Sequence, residues 1–255
     1  MRIVQLSDLH LRPGLLYSGL DPWACLDLAL HRVARLDPVP DLLLLSGDLA
    51  DDGALVTYKR LAERLAVSGL AHAVLPGNHD SREAFRTAFP GQNWSHPNLC
   101  CQRIDVDGRS LLLLDTLLPG EEGGAITAEH VAWLEGHCPV QRPVMLVLHH
   151  PPFAVGIPGM DVIGCGGGEL LAAWLAGRPL VEALLCGHVH RHVTTLFAGR
   201  IAMTAPATVH QIALCDGPLA YTLEPGGMLG HDCPPGEALL THYLPLAAAG
   251  TKVYS

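Results

Sequence analysis

Short apolar runs punctuate the chain, and between them apolar positions recur at helical spacing. Arg2–Leu6 reads as a first strand, ending at Ser7, Asp8, Leu9 and His10. Asp21–Leu36 reads as a helix. Asp21 suits its N-cap and Pro22 its first position, while Trp23, Leu26, Leu30 and Val33 make an apolar stripe that His31 lies off. Asp41–Ser46 is a second strand, and its Leu42–Leu45 run is apolar on both faces, as in a covered sheet. It ends at Gly47 and Asp48. A helix over Ala54–Ser68 stops at Gly69, and His72–Leu75 is a third strand, broken by Pro76 and Gly77. We expect Gly77 to take a backbone angle that other residues resist. Asn78, His79 and Asp80 follow it directly.

The same alternation continues. Ser81–Phe89 is a short helix, Pro90–Cys101 is irregular, and Ser110–Leu114 is a strand ending at Asp115. Thr127–Glu135 is helical with Thr127 as N-cap. Val144–Leu148 is a strand running into His149, His150, Pro151 and Pro152. A long glycine-rich loop, Phe153–Gly168, precedes a helix over Glu169–Leu175; loops of that length in compact domains are often functional. Val181–Cys186 is a strand ending at Gly187, His188, Val189 and His190. After Arg191 the texture changes to short runs, Val193–Phe197, Arg200–Thr204, His210–Leu214 and Ala220–Leu223, which predict a second, mostly antiparallel sheet. The last thirty residues, with Pro234-Pro235 and Pro245, are expected to form an arm or an edge. With no repeat and no linker, 1–255 reads as a single α/β domain, of which 216–255 are its C-terminal strands or arm.

Composition narrows the class. Hydrophobic residues make up 49% and charged ones 16%, which suits buried sheets and excludes disorder. The formal charge of −9 disfavours stable nucleic-acid binding. None of the eight cysteines forms a CxxC pair, and Cys25 and Cys186 fall in apolar segments as small core residues. The chain opens with no signal peptide, and no apolar run approaches the ~20 residues of a membrane span. A reduced, cytoplasmic protein without membrane contact is expected.

The chemistry gathers at the strand ends, where open α/β sheets place their sites. They carry Asp8 and His10, Asp48, Asn78 and His79, His149, and His188 and His190. Asp8 and His10, like His188 and His190, are two residues apart and face one side of an extended chain. Each pair alone is an ordinary polar turn, but a sheet brings all of these ends together. Imidazoles, carboxylates and one amide form a mixed set suited to Mn, Fe, Zn or Co rather than Mg or Ca, and too large for one tetrahedral ion.

In this order the motifs D-x-H (Asp8, His10), G-D (Gly47, Asp48), G-N-H-D (Gly77–Asp80), the strand-end His149 and G-H-V-H (Gly187–His190) resemble the calcineurin-like metallophosphoesterases over residues 1 to 215. Within them the chain is similar to the bacterial class III phosphodiesterases. His149–Pro152, Gly159–Asp161 and Thr208–Gln211 bring it nearer the glycerophosphodiesterases than the cyclic-nucleotide phosphodiesterases. The resemblance implies a four-layer αββα sandwich of two mixed sheets with flanking helices. It implies that Asp8, His10 and His190 hold one divalent ion and Asn78, His149 and His188 a second, with Asp48 bridging. His149 is preferred to His150 because it follows the strand directly.

The resemblance further implies that His79 contacts the phosphoryl group and that Asp80 orients it. A water between two such ions is acid enough to yield hydroxide near neutral pH and attack phosphorus in line. Asn78 and His79 would offset the charge that develops, and His79 would either stabilise it or protonate the leaving alkoxide. His210, within the Thr208–Gln211 match, and Asp161, in the glycine-rich loop, are candidates for substrate contact. His31, His72, His96, His130, His137, His192, His231 and His242 read as structural or exposed. The partner expected is a small phosphodiester. A homodimer or higher homo-oligomer is also expected, joined through Leu239, Leu240, Tyr243 and Leu246 of the arm. Two other readings stand beside this one: a cyclic-nucleotide phosphodiesterase, and a non-catalytic scaffold of the same fold. The full ligand set argues against the scaffold.

Overall fold

A computed structural model of the protein describes residues 1–234 and 237–247; Pro235 and the end of the expected arm, 248–255, lie outside the described residues. The elements run β1 (Arg2–Leu6), α1 (Pro22–Val33), β2 (Leu42–Ser46), α2 (Leu55–Ser68), β3 (His72–Leu75), α3 (Arg82–Ala88), β4 (Gln102–Val106) and β5 (Arg109–Leu114). Then follow β6 (Gly124–Ala125), α4 (Ala128–His137), β7 (Val144–Leu148), α5 (Pro158–Asp161), β8 (Cys165–Gly166), α6 (Gly168–Ala176) and β9 (Val181–Cys186). The chain closes with β10 (Val193–Phe197), β11 (Arg200–Thr204), β12 (Gln211–Ile212), β13 (Tyr221–Thr222), β14 (Gly227–Asp232) and β15 (Leu240–Pro245).

Local signals set these bounds. The Asp21 carboxylate accepts from the backbone N–H groups of Trp23 and Ala24, which starts α1. Gly69 ends α2 in the left-handed conformation at φ 68°.

Two mixed sheets stack face to face, one in the order β15-β14-β1-β2-β3 and the other β10-β11-β9-β7-β5-β4. The period of two explains the layering. Leu42, Leu44, Ala73 and Leu75 of the first sheet meet Leu111, Leu113, Met145, Val147 and Leu185 of the second. Their neighbours Leu43, Leu45 and Val74 face the helices instead, against Leu26 of α1, Leu61 of α2 and Phe85 of α3. Leu112, Leu146 and Leu184 face Trp133 of α4 and Leu171 and Trp174 of α6. The result is the expected four-layer sandwich.

Two strand assignments depart from expectation. The last strands do not form a separate antiparallel sheet. β10 and β11 are an antiparallel hairpin, but β11 pairs parallel with β9 and so extends the six-stranded sheet. β12 and β13 are a small ribbon of their own, and β14 returns to pair antiparallel with β1, leaving β15 as the edge. β4 was not foreseen, because Gln102–Val106 carries charge at Arg103 and Asp105. Its turn, Asp107-Gly108, has positive φ at both residues (44° and 79°), as a tight hairpin requires. In the expected arm, Leu246 is buried, whereas Leu240 and Tyr243 stay exposed. Cys25 is only half-buried, and Cys186 is fully buried. Among the described residues no helix is long and apolar enough to cross a membrane.

Candidate active site

Parallel strands β1, β2 and β3 of one sheet, and β7 and β9 of the other, end at the same edge of the sandwich. The backbone there is unusual. Asp8, His10, Asp48, His188 and His190 all have positive φ, between 46° and 69°. Non-glycine residues rarely adopt that region, and such strain persists where surrounding contacts impose it. The turns reverse the chain immediately after each strand and aim the side chains inward. Gly77 serves a different purpose from the one expected. Its φ is not left-handed; instead a Cβ there would lie 2.2 Å from Asp48 Oδ1 and 2.6 Å from His149 Nε2. The constraint is space. Gly47 is similar, with a Cβ 2.1 Å from His149 Nδ1, and its φ of 107° excludes other residues as well.

The side chains of Asp8, His10, Asp48 and His190 bring their donor atoms within 4.8 Å of one another, all buried. His149, His150 and His188 form a second such group. Asn78 joins it through Oδ1, 3.2 Å from His188 Nδ1. The two groups meet at Asp48 and Asp8: His149 Nε2 lies 3.4 Å from Asp48 Oδ2 and 3.9 Å from Asp8 Oδ1. Asp8 also accepts the backbone N–H of His188 on both oxygens, which locks its carboxylate across the seam.

Each of these rings uses its far nitrogen as a donor. His149 Nδ1 points to Ser46 O at 2.8 Å, His190 Nδ1 to His210 O at 3.2 Å and His188 Nε2 to Ile163 O at 2.9 Å. His10 Nδ1 points to Asp51 Oδ1 at 3.2 Å. Such partners fix the tautomer and turn a bare lone pair inward. His10 Nε2 and His190 Nε2 then face each other at 2.9 Å, and the buried His149 Nε2 has no hydrogen-bond partner. Two acceptors cannot satisfy each other, so a proton or a metal ion must lie between them.

The charges say the same. Burial pushes the Asp8 carboxyl up, with His149 opposing. Burial pulls the His149 imidazole down, but Asp48 beside it drives it up to about 9. Burial and the neighbouring His149 lower His188 to about 4, and burial with His10 puts His190 well below the ordinary range. Buried imidazoles and carboxylates that perturb one another this strongly mark a functional site. The donors present therefore fit divalent ions. His150, like His149, has a buried Nε2 without a partner, and its Nδ1 meets Thr116 Oγ1 at 2.9 Å; what distinguishes His149 is its approach to Asp48 and Asp8.

A cavity of about 260 Å³ opens over these groups. His79 stands at its mouth, 40% exposed, its backbone N–H donating to Asp48 Oδ1 while its ring faces Asp51. His210 lines the cavity, bonded to the Tyr17 hydroxyl at 2.6 Å.

Two expectations are corrected. Asp80 does not orient His79. Its carboxylate is taken up by the backbone N–H groups of Leu49, Ala50 and Gly77 and by the Tyr58 hydroxyl, so it fastens the β3 turn to the β2 turn. Burial, with Asp48 nearby, pushes that carboxyl up to about 6. The acid beside the His79 ring is Asp51, 3.6 Å from Nδ1, whose other oxygen is held by Arg12. Asp161 lies outside the cavity; it is exposed and accepts from the backbone of Val155 and Gly156, closing its own loop. Asp51 and Tyr17 were missed. Asp51 had one signal, a second acid three residues after Asp48; Tyr17, in an aperiodic loop, had none.

Comparison with known proteins decides the family. The profile of calcineurin-like phosphoesterases matches residues 1–192. The chain belongs to the calcineurin-like phosphoesterase family. It is 33% identical to a probable glycerophosphodiester phosphodiesterase of Arcobacter nitrofigilis, over 95% of this chain and 92% of that one. It is 31% identical to a 3',5'-cyclic adenosine monophosphate phosphodiesterase of Pseudomonas aeruginosa, over 87% of this chain and 80% of that one. Among solved structures, a purple acid phosphatase from yellow lupin superposes with a TM-score of 0.61 at 12% identity, covering 96% of this chain and 51% of that one. That likeness concerns the fold alone. In this calcineurin-like phosphoesterase, both groups of converging donors lie at or before His190, inside the matched region.

Proposed function

We propose that this calcineurin-like phosphoesterase is a metal-dependent hydrolase of small phosphodiesters, with glycerophosphodiesters as its substrate class. The observation that carries the reading is the convergence of bare imidazole nitrogens on Asp8 and Asp48. Asp8, His10 and His190 would hold one divalent ion and Asn78, His149 and His188 a second, with Asp48 lying between the two sets; Mn, Fe, Zn or Co suit these donors. When bound, the ions supply a nucleophile from water near neutral pH and neutralise phosphoryl charge.

The chain's own residues do the rest. Ser46, His210, Ile163 and Asp51 fix the ring orientations through the far nitrogens. Asn78 and His79 stand where charge develops on the phosphoryl oxygens, and the His79 ring, free of the buried carboxylates, can donate to oxygen. Asp51 lies near enough to set its orientation. His210, held by Tyr17, faces the departing alcohol. The protein acts in the cytoplasm as a homo-oligomer joined along the exposed edge strand β15; light scattering at micromolar concentration tests the assembly.

The 31% identity to a cyclic-nucleotide phosphodiesterase favours one second reading, hydrolysis of 3',5'-cyclic nucleotides. Glycerophosphoethanolamine and cyclic AMP, offered separately with Mn, Co and Zn, distinguish the two. Faster release of product from the glycerophosphodiester is expected. Preference for the cyclic nucleotide would give the second reading, and no turnover of either would contradict both.

A further inference from the structure

The cavity has two unlike walls. The strand ends make one. Loops make the other: Leu16 and Tyr17 before α1, Met160 in α5, and Ile212, Leu219 and Tyr221 around the β12–β13 ribbon. Leu16, Met160, Ile212 and Leu219 line the cavity beside Tyr17. This wall is preformed. Met160 and Ile212 belong to one small apolar cluster and Leu16 to another, and both clusters back onto the body of the protein. It also continues outward. The Tyr17 and Tyr221 rings meet edge to face at 5.1 Å, and Tyr221 lies opposite Ile212 in the ribbon. Leu219 is 49% exposed, Tyr221 43% and Tyr17 70%. An apolar track therefore leads from the strand-end wall into solvent.

Charge around the cavity is one-sided. Asp48, Asp51 and Glu122 line it, and among the described residues no lysine or arginine does. Arg12, which reaches the lining residue Asp51, is committed to it. Beyond the groups that would hold the ions, a second phosphate or a carboxylate on the substrate would meet two acids, Asp51 and Glu122, and no lysine or arginine of the described residues. The lining accepts a substrate whose only anionic group is the scissile phosphodiester.

We propose that this cavity takes monoanionic phosphodiesters in which one esterifying alcohol is apolar, an alkyl or acyl-bearing chain that lies along Tyr17, Leu219 and Tyr221. The proposal rests on the phosphodiesterase reading and deepens it. The cavity volume, about 260 Å³, holds the phosphodiester and the first few carbons, and the rest of the chain follows the exposed track. Fully burying a methylene changes affinity about fourfold, and half-exposed residues give about twofold.

The test uses the full chain with Mn and a series of glycerophosphodiesters whose second alcohol is methanol, butanol or octanol, each below its micelle concentration. Hydrolysis is followed by phosphorus NMR, and binding to chelator-stripped protein by calorimetry. We expect kcat/KM and affinity to rise about two- to fourfold per methylene as far as butyl and more gently beyond. Leu219→Ser and Tyr221→Ser, both at half-exposed positions where folding is not at risk, should each lower the octyl-to-methyl ratio severalfold. Hydrolysis of all three esters at equal rates would overturn the subsite while leaving the phosphodiesterase reading intact. So would an octyl-to-methyl ratio that neither variant changes, as when a second copy covers the wall. Affinity that rises with chain length without hydrolysis would support the subsite and refute the phosphodiesterase reading.

Discussion

Two sets of buried histidines in this molecule are buried differently. His231 sits between the sheets with both nitrogens occupied, Nδ1 by Thr241 Oγ1 and Nε2 by Gln5 Oε1, each at 3.0 Å. At the strand ends, His10, His149 and His190 each satisfy one nitrogen and turn the other, bare, toward carboxylates or toward one another. Burial is equal in the two places. What separates a structural histidine from a ligand is the direction of its lone pair. At the strand ends that direction is imposed by positive φ, by carbonyl partners, and by glycines that let the two sheets approach.

Several substitutions would break or sharpen that contrast. The largest effect should come from Asp48→Ala, which removes the carboxylate that both groups share. Activity should vanish and metal content should fall by at least one equivalent, measured by elemental analysis of the purified variant. His79→Ala should come next. Its ring lies outside the ligand set, so both ions should stay while kcat falls about 10²–10³-fold. If His79 protonates the leaving group, an aryl ester such as a p-nitrophenyl phosphodiester should lose little and an alkyl ester much. Equal losses would assign it to charge stabilisation, and full activity on both esters would remove it from the mechanism.

Asp51→Ala should act through the His10 and His79 rings and cost about 10–100-fold in metal affinity or activity. Metal titration beside steady-state kinetics separates these effects, and an unchanged metal affinity would detach Asp51 from His10.

The smallest effect belongs to His231. Burial holds it at about 3 in the folded protein, below the unfolded value of about 6.5. A depressed histidine stabilises the fold above the unfolded pKa, and that contribution drains away as pH falls from 6.5 toward 3. Between pH 7 and 5.5 the wild type should lose about 1 kcal/mol more than His231→Gln, read from urea unfolding. Parallel losses would place the acid sensitivity elsewhere.

The strand ends were legible in sequence because ligand-type residues follow apolar runs directly, at Asp8, Asp48, Asn78, His149 and His188. Chain order alone then gathers them in an α/β sheet. What was not legible depends on contacts distant in sequence. Asp80 follows His79, yet its carboxylate is captured by N–H groups thirty residues earlier, at Leu49 and Ala50. Asp161 sits in the right loop but spends its oxygens on that loop's backbone. β11 joins β9 rather than a sheet of its own, a choice of edge that local alternation does not encode. Gly77 announces a turn in sequence, while its constraint comes from Asp48 and His149 across the seam.

The central claim is that the bare nitrogens and shared carboxylates at the strand ends hold two catalytic ions. Titrating Mn into chelator-stripped protein, while following glycerophosphodiester hydrolysis and bound metal together, tests it most directly. Activity should be absent at the start, rise with occupancy and level off at two equivalents per chain. Full activity in the stripped protein, or saturation at one equivalent, would contradict the account.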